Sequence, residues 1–574
     1  MLNSNYQVDN AEKRLQQTLA LLRGYRNSLQ RINCLPPEIL AMILDRTFPH
    51  LPTFIPSFVA YSSMFAYKAL WDSWARLIAV CRHWRGIFAS FPYLWSTVDT
   101  RIMPLQNITR SKSSLLTIFL QNGVPAHILR KIAQRSARFR DLHYVGEPLE
   151  PSVGQIFKYP APNLHSLTYW ERGISPSIAL TPLFRDQMPN LRQLCLGYVT
   201  SWPEGYFKNL THLCLLSQDF NTRPSLGTFL DFLEGSPNIE QIALVDAGPT
   251  GVSSPVPSDR VVRLPHLRQL DLGDWHSAEA ISSFLTHLSH SKETKVHIWG
   301  AFLAFGEGPS DILPADCASR SDAWANIEEW RFLRTVAPDA PCSFVLISNS
   351  TLQLCGSWTE TEAVPMASRF PLSHVRKLVY CDNLPDDPPL SADTWREIFR
   401  NLPELRRLEI QAGLDTSALM TRNMITALYP DDKGTVLCPH LRSIAIENDL
   451  ALPHLSVVGC AEKRAQLGYP LKKLRLSFLR DHSRAPSPIG FSYPLQPQAR
   501  IPSTLGLRKD DKFMEFCRAD IPALEKHVEK VKFSLTDEFQ LQVVDTSLFT
   551  SSLISWTRPE YSIPGKSITS TARS

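Results

Sequence analysis

Along the first hundred residues, apolar positions recur every three or four residues, which is the spacing of amphipathic helices. Residues 9–31 carry a narrow apolar stripe from Leu15 to Leu29, with Lys, Arg and Gln between its members. The pattern predicts one helix, which forms either a short coiled-coil seam for dimerisation or a face that packs on the neighbouring domain. We favour packing, because about three heptads is the lower limit for a convincing coiled coil.

Two further short helices are predicted between Cys34 and Val98. Pro36 and Pro37 suit the first turn of a helix, where a missing N–H costs nothing, and Glu38 suits the positive end of the helix dipole. The second helix carries an apolar stripe beside Arg76, Arg82 and Arg85, made of Trp74, Leu77, Ile78, Cys81, Trp84 and Phe88. An element this small cannot bury both stripes by itself, so part of its apolar surface is expected to face a partner.

From residue 161 the spacing of apolar residues changes, and an L-x-x-L-x-L phrase, often preceded by Pro, occurs nine times. Its first apolar positions are Leu164, Leu191, Leu210, Ile239, Leu267, Val375, Leu405, Leu441 and Leu471. Outside one long gap, the spacings are 27, 19, 29, 28, 30, 36 and 30 residues. A period in this range is typical of a solenoid.

The phrase predicts a strand, because its second and third apolar positions lie two residues apart and so point to one face. Helical stretches lie between the phrases, for example after Ser225 and after Ser391, which are both good N-caps. Strand, turn and helix in alternation predict a right-handed curved solenoid of parallel strands and helices. The gap from Gly273 to Leu372 is expected to hold degenerate repeats with an insertion.

These patterns place the chain in the α/β class and divide it into five parts. The expected parts are an N-terminal amphipathic helix at 1–33, a small helical domain with an inter-helix insertion at 34–98, a transition with the first degenerate repeats at 99–160, a leucine-rich-repeat-like solenoid at 161–480 with an insertion at about 291–371, and a Pro/Ser-rich segment, C-terminal cap and disordered tail at 481–574.

Composition narrows the function without naming one. The 574 residues carry a net charge of only +5, which by itself indicates neither nucleic acid nor membrane as a partner. Eleven scattered cysteines without a C-x-x-C pair favour a reducing compartment, and the absence of a signal-peptide pattern favours a cytoplasmic or nuclear location. No motif for catalysis, metal binding or a cofactor is present, so we expect no enzyme.

Three separated elements of the chain resemble the F-box. They are Leu35-Pro36-x-Glu38-Ile39, then Val80-Cys81-Arg82-x-Trp84-Arg85, and finally Leu94-Trp95. The whole chain is similar to fungal F-box-like proteins with a leucine-rich-repeat-like C-terminal domain. One departure is the link between the two helices, where about thirty residues from Asp45 to Arg76 replace a short connection; loops tolerate such insertions well.

The resemblance implies a small helical F-box bundle that docks on the Skp adaptor of an SCF-type cullin–RING ubiquitin ligase. The chain would then be the substrate-recognition subunit, with the repeats binding a target protein whose identity the sequence does not give. The positions that match the adaptor-facing set of the family are Leu35, Pro36, Ile39, Ile43, Leu77, Val80, Cys81, Trp84 and Leu94. Val80 lies off the apolar stripe and is therefore expected to face outward. The alternative is a non-ligase interaction scaffold with a degenerate F-box.

The repeats offer one candidate site for the target. Residues that precede the inward positions of each phrase point outward, and in the later repeats these include Lys377, Arg407, Lys473 and Arg475. Such a group could bind an acidic or phosphorylated segment, although a plain solvated face explains it equally well. The outward rows contain no aromatic residue, which disfavours an RNA-binding solenoid.

Overall fold

The structure is a computed structural model of the full chain. It describes residues 2–47, 76–100, 104–120, 123–146, 153–171, 178–179, 182–203, 205–250, 256–257, 259–273, 278–300, 312, 327–336, 341–349, 351–357, 364, 370, 372–382, 390–412, 417–431, 434–448, 454–479 and 521–536. The chain forms two compact units, which meet in sequence at Thr222 and Arg223. The predicted Trp74, most of the inter-helix insertion, the Pro/Ser-rich segment and the C-terminal tail lie outside the described residues.

The N-terminal part of the first unit is helical. Helix α1 covers Leu2–Ser28, α2 covers Pro37–Thr47, residues 76–79 are helical, α3 covers Arg82–Ser90, and a 3-10 turn follows at Pro92–Trp95. The predicted packing of α1 on the neighbouring domain is wrong for the described side chains. The large apolar side chains of its stripe are all exposed, Leu15, Leu22 and Tyr25 among them.

The remainder of the first unit is a parallel sheet whose strands pair in chain order. Two helices precede its second and third strands, α4 at Pro104–Arg110 and α5 at Ala126–Ala133. The strands of the sheet are β1 Thr97–Asp99, β2 Leu116–Leu120, β3 Phe139–Gly146, β4 Ser166–Glu171, β6 Gln193–Gly197 and β8 His212–Leu216. A smaller parallel pair joins β5 Ile178–Ala179 to β7 Val199–Ser201.

The repeated phrase accounts for the register of these strands. Leu167, Leu194 and Leu213 are the second apolar positions of successive phrases, and they stand beside one another with no solvent exposure. The Asn of the Pro-Asn-Leu variant also ties each turn to the one before it. Asn163 Nδ2 donates to the Ala137 carbonyl at 2.7 Å, and Asn190 Nδ2 donates to the Pro162 carbonyl at 2.8 Å. Side-chain burial and backbone pairing therefore select the same stacking.

The second unit holds a longer sheet with one interruption. Its parallel strands, in spatial order around the interruption, are β9 Gln241–Val245, β11 Gln269–Gly273, β13 Lys295–Gly300, β16 Leu352–Ser357, then β14 Glu329–Val336, β17 Lys377–Asp382, β18 Arg407–Ala412, β19 Ser443–Asn448, β20 Leu471–Leu479 and β21 Val528–Thr536. Strand β15, Pro341–Ser348, lies between β16 and β14 and is antiparallel to both. Strands β10 Val262–Leu264 and β12 Leu288–His290 form a separate parallel pair.

Helices connect many of the strands of this unit. They are α6 Leu226–Glu234, α7 Ala278–Thr286, α8 Ala392–Arg400, α9 Ser417–Ala427, α10 His454–Gln466 and α11 Ile521–Glu525. The predicted N-caps are confirmed, since the hydroxyl of Ser225 accepts from the Thr228 amide and that of Ser391 accepts from the Thr394 amide. Parallel strands joined by helices, in register over many repeats, confirm the α/β solenoid class.

Candidate functional site

The residues that resemble an F-box fold into a small helical element with its own core. We define the helical element as residues 35–47 and 76–95. Its buried cluster comprises Leu40, Ala41, Leu44, Ile87, Phe88, Leu94 and Trp95. Leu35, Leu77, Ile78, Trp84 and Phe91 pack against this cluster and remain partly exposed. Apolar residues spaced by three and four along α2 and α3 therefore meet each other, as their periodicity predicts.

The second predicted helix is broken where the sequence pattern is continuous. Residues 76–79 are helical, Val80 is a bend, and Cys81 is the N-cap of α3 with an extended backbone at φ −159° and ψ 171°. The Cys81 sulfur accepts a hydrogen bond from the Trp84 amide at 3.5 Å. Cys81 therefore satisfies one of the unpaired donors at the start of α3, and the break turns Val80 away from the helical stripe.

Hydrogen bonds donated by side chains fix the position of α3 within the element. Trp84 Nε1 donates to Asn33 Oδ1 at 2.6 Å, and Asn33 Nδ2 donates to the Asn27 carbonyl at 2.6 Å. Trp95 Nε1 donates to the Phe88 carbonyl at 2.6 Å, and the Arg110 guanidinium lies 4.3 Å from the centre of the Trp95 ring. The sequence pattern indicated both tryptophans but not Asn33, whose only signal is its place just before the Leu35-Pro36 start.

The nine predicted adaptor-facing residues separate into three groups by exposure. Leu94 is buried in the core cluster, so it stabilises the element and is not available to a partner. Leu35, Ile43, Leu77, Cys81 and Trp84 are half-buried. Pro36, Ile39 and Val80 are exposed, with 44% of Ile39 and 52% of Val80 accessible to solvent. The outward orientation expected for Val80 is therefore confirmed.

Two exposed side chains beside this set were not predicted from the sequence. Met42 is 56% exposed, and it lies three residues after Ile39 on α2, so both are on the same helix face. Tyr93 is also exposed at the 3-10 turn. Partial burial, together with the nearby Asp45 carboxylate, raises the pKa of Tyr93 above its usual value. The available sequence signal for Met42 was its position three residues after Ile39, one of the predicted adaptor-facing residues.

The helical element also exposes charged residues close in sequence to these apolar groups. Arg76, Arg82 and Arg85 are exposed, as is Glu38 at the start of α2. The element thus exposes both apolar and charged side chains, a combination that is typical of protein-binding surfaces.

The structure removes Lys377 from the basic group that the sequence predicts on the later repeats. Lys377 Nζ lies 3.0 Å from Glu329 and 3.1 Å from Glu409, and all three side chains are about four-fifths buried, at 22%, 22% and 23% exposure. Burial opposes ionisation of Glu329, but hydrogen bonds from Arg331 and Lys377 outweigh it and lower the pKa of Glu329. The charge of Lys377 is therefore matched within the sheet, and this residue is not a free cation for a target.

Four other cations form what we call the basic ladder. In the register of β20 and β21, Lys473 stands beside Lys530 and Arg475 beside Lys532. Arg475, Lys530 and Lys532 are exposed and Lys473 is half-buried. Arg407 is also exposed, two strands from Lys473.

Lys530 and Lys532 were missed because residues 481–574 were interpreted only as a Pro/Ser-rich segment, a C-terminal cap and a tail. The signal was present, since Val528, Val531 and Phe533 repeat the spacing of the phrase.

An acidic residue borders the ladder. Burial raises the pKa of Glu447 on β19, an effect that exceeds the opposing influence of its hydrogen bond from Gln411 and of the Arg475 charge. Gln411 Nε2 donates to Glu447 at 2.9 Å. Gln411 and Glu447 are register partners on β18 and β19, so this contact crosses the sheet at close range.

Two features are absent from the described residues, a cluster of metal ligands and a membrane-spanning helix. No group of three or more His, Cys, Asp or Glu side chains in the described part of the chain could hold a metal ion. Among the described helices, none has the length and apolar character needed to cross a membrane.

Comparison with known proteins adds little to this geometry. No protein-family model matches the chain, and no curated protein matches it. One similar solved structure is an internalin (inlF) from Listeria monocytogenes, at 10% identity and a TM-score of 0.21, covering 52% of this chain and 74% of the internalin. At that TM-score the likeness supports no argument, and the repeat fold rests on the strand register of this chain.

Proposed function

We propose that this chain is the substrate-recognition subunit of an SCF-type cullin–RING ubiquitin ligase. In this proposal the helical element binds the Skp adaptor and the repeats bind the target protein. The observation that carries it is the division of the F-box-like residues into two sets. One set forms a closed core, while Pro36, Ile39 and Val80 stay exposed at motif positions.

The energetic argument concerns the exposed set. Ile39, Met42 and Val80 lie outside the core cluster. Each exposes roughly half of its surface to water. Covering apolar surface stabilises a complex by about 25 cal/mol per Å², so a partner that covers these side chains gains affinity from them. Leu94 does not belong to the contact set, since it is already buried.

The adaptor-binding experiment uses the full-length chain and a recombinant Skp adaptor, with binding measured by isothermal titration calorimetry. The variant Ile39→Asp/Val80→Asp is expected to lose at least tenfold in affinity, because it places two charges in a contact that must exclude water. A matched control, Leu115→Asp/Leu419→Asp, changes two exposed leucines outside the element and should bind as the unchanged chain does. Absence of binding by the unchanged chain would favour the alternative, a non-ligase scaffold with a degenerate F-box.

For the target we propose an acidic or phosphorylated protein segment that binds along the basic ladder. Four cations on two adjacent strands, with Arg407 nearby, present a positive strip to an extended anionic chain. Lys377 is excluded because Glu329 and Glu409 already pair with it.

The target experiment measures the fluorescence anisotropy of a labelled phosphoserine-containing acidic peptide. Reversing the ladder with Lys473→Glu, Arg475→Glu, Lys530→Glu and Lys532→Glu should lower affinity at least tenfold and remove its salt dependence. The control reverses four exposed lysines of the other unit, Lys112, Lys131, Lys158 and Lys208, which changes the net charge equally. Equal losses in the two variants would mean that overall charge, and not the ladder, attracts the peptide.

A further inference from the structure

Among the described residues, the apolar side chains of helix α1 are exposed to solvent. The helix covers 27 residues, Leu2–Ser28. The large apolar side chains that the structure describes in α1, and that of the adjoining Leu29, are between 45% and 69% exposed; they are Val8, Leu15, Leu19, Leu21, Leu22, Tyr25 and Leu29. An isolated helix with this much exposed apolar surface is marginal in water and is stabilised by packing.

The exposed residues follow a heptad repeat. Val8, Leu15, Leu22 and Leu29 are spaced by seven residues. In heptad notation they occupy position a, and Ala11, Thr18, Tyr25 and Ile32 then occupy position d. The seam runs for three heptads, and it alternates large a residues with smaller or polar d residues over most of its length. A pair of such helices can interlock where a large residue of one meets a small residue of the other.

The charges and the remaining leucines decide the direction of pairing. Position e holds Glu12, Leu19 and Arg26, and position g holds Arg14 and Leu21. In an antiparallel pair, e faces e and g faces g. The arrangement centred on residue 20 sets Glu12 opposite Arg26 of the second copy, and it sets Leu19 and Leu21 each opposite its own copy. It also sets Leu22 opposite Thr18, and Leu15 opposite Tyr25.

A parallel pair brings the same residues into less favourable contacts. There each g residue faces the e residue five positions further along the other helix, so Arg14 meets Leu19 and Leu21 meets Arg26. No ion pair forms, and two leucines lie against guanidinium groups. The antiparallel pair makes two Glu12–Arg26 contacts and covers both leucines, and its two-fold symmetry makes the surface complementary to itself.

We propose that α1 binds α1 of a second copy of this chain as an antiparallel coiled coil. The helical overlap runs from residue 12 to residue 28 of each copy, which is about 25 Å long. Glu12 accepts a hydrogen bond from Gln16 within its own helix, and its exposed carboxylate remains open to Arg26 of the other copy. The proposal concerns α1 alone and is independent of adaptor or target binding.

The first test is the mass of the full-length chain by analytical ultracentrifugation over a concentration series. We expect a dimer, at twice 64.9 kDa. The variant Leu15→Glu/Leu22→Glu should be monomeric. The control Gln17→Glu/Gly24→Glu adds the same charge at the same spacing on the outer face, where Gly24 has free space for a side chain, and it should stay dimeric. A monomeric unchanged chain, or equal loss in the control, overturns the proposal.

The second test fixes the direction. In a Cys34→Ser background, Leu19→Cys should form a disulfide-linked dimer under mild oxidation, whereas Leu15→Cys should not. Glu12→Arg and Arg26→Glu should each weaken the dimer severalfold, and the double variant should restore it. Crosslinking through position 15 with no restoration by the double variant contradicts the antiparallel pair. Because all of these side chains are exposed in the single chain, each variant should fold as the unchanged chain does, and loss of the dimer should remove only the stability that α1 gains from pairing.

Discussion

Apolar residues of the same kinds are buried in the repeats but partly exposed in the helical element. In the repeats, an apolar residue such as Leu408 stands between Leu378 and Ile444 of the adjacent strands and has no exposure. In the helical element, Ile39 and Val80 occupy motif positions and keep about half of their surface in water. A solenoid supplies each repeat with its neighbour, whereas a small helical element has no neighbour for its outer face. Exposed apolar residues are therefore more informative about partners in the element than in the repeats.

The largest expected effect tests the buried side of this comparison. Leu408→Ala should lower the free energy of unfolding of the second unit by about 2–5 kcal/mol, because it removes a fully buried side chain and leaves a cavity. Ile39→Ala should change the free energy of unfolding by less than about 0.5 kcal/mol. Urea unfolding of both variants checks this. A cost for Ile39→Ala as large as that for Leu408→Ala would mean that Ile39 belongs to a core.

The next effect concerns pH and lies in the repeats of the first unit. Burial lowers the pKa of His143 to about 4, and its Nδ1 lies 3.0 Å from the Thr168 hydroxyl. Because the unfolded chain binds a proton at an ordinary pKa near 6.5, stability is lost as the pH falls from about 6.5 towards 4. Between pH 7.5 and 5 this histidine should account for a loss of about 2 kcal/mol.

The measurement compares urea unfolding of the unchanged chain and of His143→Gln at the two pH values. On acidification from pH 7.5 to 5, the variant should lose about 2 kcal/mol less stability than the unchanged chain. Replacing His83, an exposed histidine of the helical element, should leave the acid dependence unchanged. If His143→Gln lost as much stability on acidification as the unchanged chain, His143 would not be the group that titrates.

The smallest effect concerns the position of α3. Trp84→Phe removes the hydrogen bond from the indole nitrogen to Asn33 and keeps a smaller aromatic ring, so it should lower the free energy of unfolding by about 1 kcal/mol. Asn33→Ala in the Trp84→Phe chain should add less than the same change in the unchanged chain. Thermal unfolding of the four chains of this cycle checks the coupling. Fully additive effects would mean that the two side chains do not interact.

The pattern of apolar residues predicted most of the repeats and the place of their interruption, but not the strand pairing within it. The spacing of the phrase predicted strands β4, β6, β8 and β9, and the caps at Ser225 and Ser391 were confirmed. The gap from Gly273 to Leu372 was expected to hold degenerate repeats with an insertion, and the antiparallel pairing of β15 within it was not predicted. Its hairpin with β16 depends on Asn349, whose side-chain oxygen accepts from the Thr351 and Leu352 amides, and a local turn of this kind leaves no trace in hydrophobic periodicity.

The sequence predicted which residues form most of the candidate site, but it predicted only part of what each residue does. A continuous stripe from Leu77 to Phe88 predicted one helix, but the Cys81 cap divides it, because capping depends on backbone geometry and not on spacing. Leu94 looked equivalent to the exposed positions, and only its burial separates it from them. Lys377 looked like its basic neighbours until the adjacent strands brought Glu329 and Glu409 to it.

Hydroxyl-radical footprinting tests the central claim, that the outer face of the helical element is an adaptor-binding surface. In the free chain Met42, which is exposed, should be oxidised readily, while Met420, which is fully buried in the repeats, should not. Addition of the recombinant Skp adaptor should protect Met42 and Ile39 and leave the exposed Leu419 as reactive as before. If Met42 and Ile39 were oxidised equally in the presence and absence of a saturating excess of the adaptor, the account would be contradicted.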